Sequence, residues 1–96
     1  MPSDAGKKAA REARERATRY RKALEYLDGC TQFTFKELEE TNRIAGSAIS
    51  QPELREMWEM SQKTFEGGES CRKILYDTLI EGIDVLESLA EKIENQ

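Results

Sequence analysis

The sequence predicts an all-α protein: a small helical bundle or helical hairpin with coiled-coil-like packing and a long C-terminal helix. Three observations predict it. Apolar residues recur at helical spacing along most of the chain. Two Ser/Thr-x-x-Glu boxes, Thr34–Glu37 and Ser50–Glu53, mark helix starts. No stretch shows the sustained period-two alternation of a half-buried strand.

The first helix is predicted over residues 4–28. Ser3 or Asp4 caps its start, and Asp4 suits the positive end of the helix dipole. Ala10, Ala13, Ala17, Tyr20, Leu24 and Leu27 recur at alternating spacings of three and four, an a/d seam. The first half of that seam is alanine alone and buries little, so residues 1–17 are a candidate frayed or flexible basic arm. Asp28-Gly29 ends the helix, because glycine adopts the left-handed conformation of a C-terminal stop.

Thr34-Phe35-Lys36-Glu37 opens the second helix. The Thr34 hydroxyl and the Glu37 carboxylate each satisfy an orphan N–H, and Phe33 and Leu38 form a hydrophobic staple around the box. This helix is predicted from Phe35 to Ala45, where Gly46-Ser47 interrupts it. The box at Ser50, with Pro52 tolerated in a first turn, starts a third helix.

A heptad then runs in phase to the end. Trp58, Phe65, Arg72, Leu79, Leu86 and Ile93 form one column; Leu54, Ser61, Gly68, Leu75, Gly82 and Leu89 form the other. Adjacent Gly67-Gly68 would cost a helix interior about 2 kcal/mol, which favours a break there and a last helix from Glu69 to about Glu94. Ile74, Ile80, Ile83 and Val85 widen the apolar face of that helix, so it packs against more than one neighbour.

At 96 residues the chain is a single domain with a modest core. Hydrophobic residues make up 38% and charged residues 35%, a balance that suits helices with one apolar stripe and a charged back. The net charge of −4 is unevenly spread. Residues 1–22 carry eight cations against three carboxylates, and the remainder carries seven against sixteen. Such asymmetry points to an acidic partner for a basic arm, to pairing between copies, or simply to a solvated basic helix.

Two cysteines, Cys30 and Cys71, are too few for a disulfide framework and predict reduced thiols packed as small hydrophobes. No run approaches the length of a membrane span, and the amino terminus lacks the apolar stretch of a secretory signal. Both features predict a cytoplasmic protein.

No catalytic apparatus is expected. The chain has no His, the commonest general base and neutral metal ligand. Cys30 and Cys71 form no Cys-x-x-Cys pair, and Gly67-Gly68 lacks the spacing of a phosphate cradle, so neither a metal nor a cofactor is expected. The carboxylates at Glu37, Glu39 and Glu40, and at Glu53, Glu56 and Glu59, read as solvated helix faces.

The segment Thr34 to Ser50 resembles the helix-turn-helix unit of DNA-binding regulators. Leu38, Ile44 and Ile49 stand at the apolar positions that hold two such helices together. The resemblance implies that Gly46 to Gln51 lie on a recognition helix. Arg43 stands where that family has its turn glycine, Glu39 where it has a small residue, and Pro52 would fall inside the recognition helix. The segment is also acidic, whereas phosphate contact needs Lys and Arg. The cations that could contact nucleic acid lie in the first helix, at Arg14, Arg19, Arg21 and Lys22.

The sequence therefore predicts a non-enzymatic protein-interaction protein of the adaptor, chaperone or inhibitor type, with a homodimer as the expected state. Its alternative is a helix-turn-helix regulator using residues 34–51. The interface residues expected for the first are Leu54, Trp58, Phe65, Leu75, Leu79, Leu86, Leu89 and Ile93. Trp58 and Phe65 serve as core if the seam closes on itself and as anchors if it stays open. Met57 and Met60 beside them would make the surface adaptable.

Overall fold

A computed structural model describes residues 2–96 and shows four helices: α1 (Asp4–Gly29), α2 (Phe35–Ile44), α3 (Gln51–Gln62) and α4 (Gly68–Glu94). α1 and α4 share the largest interface and run antiparallel as a long hairpin. α2 packs on α1, and α3 on α4, at the end of the hairpin where α1 finishes and α4 begins. The whole is 51 × 25 × 18 Å. With helices about 10–12 Å across, those dimensions leave the far end only two helices thick.

α1 begins on Ser3, whose Oγ accepts from the Gly6 N–H at 3.1 Å. Residues 1–17 read from the sequence as a frayed or flexible arm; Met1 lies outside the described residues, and residues 4–17 are continuous helix docked on α4. Ala10 and Ala13 are buried against Ala90, with Leu86 and Ile93 half-buried around them. An alanine seam buries little area, but it lets two backbones approach closely. Gly82 of α4 extends the effect: a Cβ there would lie 2.6 Å from Cε2 of Tyr20, so the tyrosine ring takes the space a side chain would need.

The C-terminal end of α1 has no basic residue in its own last turn. Arg72 of α4 supplies the cation. Its guanidinium donates to the Leu27 carbonyl at 2.6 Å and the Cys30 carbonyl at 3.0 Å. It also lies 5.9 Å from the Phe33 ring centroid. These contacts account for a charged residue in an otherwise apolar column.

α2 opens as expected. Thr34 N–H donates to Glu37 Oε2 at 2.9 Å, and the Thr34 hydroxyl donates to the same oxygen. Both bonds stabilise the ionised form and hold the Glu37 carboxyl below its usual range. At the second box the structure departs from expectation. Ser50 occupies the N-cap position, but its side chain makes no capping bond. The turn before it is held instead by Asn42, which is 6% exposed. Asn42 Nδ2 donates to the Ile49 carbonyl at 2.9 Å, and its Oδ1 accepts from the Ile49 N–H at 3.0 Å.

Removing that clamp strands a backbone donor and acceptor, which costs about 1–3 kcal/mol. Asn42→Ala is therefore expected to lower the urea midpoint of unfolding without changing the slope of the transition. An unchanged midpoint would show that the clamp holds nothing.

The chain breaks at the two glycines. α3 ends at Gln62, and Gly67 sits at φ 59°, a left-handed conformation that glycine accepts at no steric cost. A Cβ on Gly68 would lie 2.8 Å from both the Phe33 carbonyl oxygen and Cη2 of Trp58. The core collects at this end. Leu27, Leu38, Leu54 and Cys71 are fully buried, and Phe33, Leu75 and Leu79 nearly so. Each large apolar side chain in it contributes roughly 1.5–3 kcal/mol.

Candidate interaction surface

The stripe that α4 buries follows a period of eleven, not seven. Cys71, Gly82 and Ile93 lie eleven apart, as do Leu75 and Leu86, and Leu79 and Ala90; Cys71, Leu75, Leu79 and Ala90 are buried and the others half-buried. An eleven-residue repeat matches about 3.67 residues per turn and keeps one face on a nearly straight partner. The heptad drifts away from that face, which is why Leu89, a seam residue by heptad counting, is 48% exposed while Ala90 beside it is buried.

Leu54, Leu75 and Leu79, expected at an interface, instead lie inside the fold. Trp58 is half-buried with ring centroids 6.2 Å from Phe33 and 6.1 Å from Phe35. Leu86 and Ile93 are half-buried against the alanines of α1. Of the eight residues, only Phe65 and Leu89 are open to solvent. Phe65 falls in the turn after α3, outside any helix, so the heptad column ends before it.

Other residues join these two. Ile74 (55% exposed), Val85 (64%) and Leu89 lie on one flank of α4, with Thr78 between them at helical spacing. Their separations of four, seven and four set them along one line beside the buried stripe, about 22 Å long at 1.5 Å per residue, with Glu81 between Thr78 and Val85 dividing Ile74 from the Val85–Leu89 pair. At its upper end α3 leaves a groove of about 290 Å³ lined by Met57, Met60, Ser61, Thr64, Ser70 and Ile74. The sequence signals Ile74 and Val85 only as extra width on the last helix. Their separation from the core becomes legible once the eleven-residue period is known.

A larger hollow of about 390 Å³ lies against α2. Five of its seven lining side chains engage one another or nearby backbone: Arg43 pairs with Glu40, Gln51 donates to Glu39 and Asn42 holds Ile49, while Lys36 and Ser47 complete the rim. Nothing in it converges on an open position. Among the described residues no group of three or more His, Cys, Asp or Glu could hold a metal ion. Both cysteines are free thiols, and burial pushes the Cys71 thiol above its ordinary pKa.

The segment resembling a helix-turn-helix folds differently from what the resemblance implies. Gly46 (φ 90°) and Ser47 (φ 57°) have left-handed backbones, and residues 46–50 form the connection between helices. The next helix starts at Gln51, with Pro52 in its first turn, and carries Glu53, Glu56 and Glu59 against one cation, Arg55. Two of the four cations proposed for nucleic acid are already paired: Arg14 Nε meets Glu94 at 2.9 Å and Arg21 meets Glu87 at 2.8 Å. Arg19 and Lys22 remain exposed on α1.

No helix is long and apolar enough to cross a membrane among the described residues. In comparisons with known proteins, no family model, no curated protein and no solved structure matches the chain.

Proposed function

We propose that the chain is a small, non-enzymatic, cytoplasmic protein-interaction module that works as a homodimer through the outer flank of α4. The observation that carries this reading is the exposure of Val85 and Leu89, two large apolar residues on a flank that neither α2 nor α3 covers. The α1–α4 hairpin is two helices thick there, with alanine as the only seam of α1. Two hairpins laid side by side would complete a four-helix layer, the usual way such a half-core is buried.

Charge supports a second copy as the occupant. α4 carries seven carboxylates against three cations, and residues 1–22 carry eight cations against three carboxylates. Among the described residues of one chain two ion pairs join α1 to α4, Arg14–Glu94 and Arg21–Glu87. Asp84 and Glu91, which lie near Val85 and Leu89 along α4, form no ion pair among the described residues. A two-fold arrangement sets α1 of one copy beside α4 of the other and uses these charges.

Leu89→Asp tests the reading, because a charge at the centre of an apolar contact is costly there and harmless in water. The variant is expected to keep its helicity and to scatter light as a single chain, losing only the stability that association adds, while the native protein scatters as a pair. Identical masses for the two would overturn the assignment of this flank.

A further inference from the structure

We infer that the groove between α3 and α4 takes a basic amphipathic helix of a partner protein. This rests on the reading of the chain as a binding module, but it uses a surface separate from Val85 and Leu89. The groove offers what an apolar anchor needs. Met57 and Ile74 line it, Met60 is 61% exposed at its rim, and Phe65, in the turn that follows α3, is fully exposed. Methionine is unbranched and polarisable, so a wall built from it adapts to anchors of different shape. Phe65 follows Thr64, which lines the groove, and an exposed aromatic is the residue type that dominates binding energy at interfaces.

The charges choose the partner. On α3, Glu53 stands four residues before Met57, and Glu56 four before Met60; on α4, Asp77 stands three after Ile74 and Glu81 seven after. These spacings put all four carboxylates on the same faces as the apolar residues. None of the four forms an ion pair among the described residues. An apolar trough with unpaired acids along both walls complements a helix whose apolar stripe is flanked by Lys and Arg. An acidic helix would meet like charge on either side.

The test uses the full chain and two fluorescein-labelled synthetic peptides of one helical pattern, leucine with lysine and leucine with glutamate, read by anisotropy. The leucine–lysine peptide is expected to bind saturably, more weakly as salt rises, and the leucine–glutamate peptide not at all. Phe65→Ala and Ile74→Ser, which leave the net charge alone, are each expected to weaken binding about tenfold or more. Glu53→Gln combined with Asp77→Asn should weaken it and flatten the salt dependence. Ile80→Ser, an exposed apolar residue of α4 that lines neither the groove nor the Val85–Leu89 flank, should leave it unchanged. Melting curves confirm that each variant is folded, which the exposure of Phe65 and Ile74 leads one to expect.

Equal binding of both peptides, or native affinity in Phe65→Ala and Ile74→Ser together, would overturn the inference. Light scattering of the same samples separates the two readings. A native dimer that ignores the basic peptide refutes the groove alone, and a monomer that binds it refutes the dimer alone.

Discussion

Leu79→Asp is expected to abolish cooperative thermal unfolding or to lower the melting temperature by more than about 15 °C. Leu79 is 3% exposed in the cluster with Cys71 and Leu75. No basic residue belongs to that cluster, so the new carboxylate would be buried without a partner. An uncompensated buried charge costs roughly 3–5 kcal/mol, and small domains hold only about 5–15 kcal/mol in all. Each 1 kcal/mol moves the melting temperature of a domain this size by roughly 4–8 °C. The same substitution at half-buried Leu86 should cost less, and at exposed Leu89 it should leave the monomer's melting untouched. Circular dichroism across the three variants checks the gradient. A Leu79→Asp protein that melts like the native one would mean that this part of α4 does not face the core.

Arg72→Met should destabilise the fold by about 2–3 kcal/mol even though it places an apolar side chain in an apolar column. The Cys30 carbonyl loses the Arg72 donor, and the Leu27 carbonyl keeps only the longer bond from the Cys30 N–H at 3.3 Å. Hydrogen bonds to a charged group are worth roughly 1.5–3 kcal/mol. The end of the α1 dipole, with no basic residue in its own last turn, also loses this cation. Arg72→Lys should recover part of the loss: both bonds come from one guanidinium nitrogen, Nη2, and an ammonium also carries several donors on one nitrogen, but it lacks the planar group that lies near the Phe33 ring. The check is the urea midpoint, together with faster amide exchange in the last turn of α1. A methionine variant as stable as the native protein would show that the seam at this position is simply hydrophobic.

Much of this fold was legible in the sequence. Thr34–Glu37 and Gly67-Gly68 mark boundaries through local chemistry, a cap and a left-handed turn, and local chemistry can be read from a few adjacent residues. The interior pattern was harder. A heptad and an eleven-residue repeat differ by so little over two turns that Leu75 and Leu79 fit both. They part only further on, where Leu89 leaves the buried face and Ala90 enters it. Phe65 was misplaced for a related reason: the column stayed in phase across a segment that is not helical.

The α1 arm was read as loose because alanine buries little area, whereas close backbone approach, visible only with α4 in place, is what seats it. The Asn42 clamp and the Arg72 bonds join residues 7, 42 and 45 positions apart, and no local pattern announces them. The candidate surface was half legible. Met57, Met60, Phe65 and Leu89 stood out as apolar residues, but which of them face water depends on where α3 ends.

The claim that joins these features is that α4 closes one apolar stripe on α1 and leaves Val85 and Leu89, on its outer flank, for a second copy. Sedimentation equilibrium of the native chain over a wide concentration range tests it most directly. The account predicts a species of twice the 11.0 kDa chain mass that gives way to the single chain on dilution. A mass of 11.0 kDa at every concentration would contradict it.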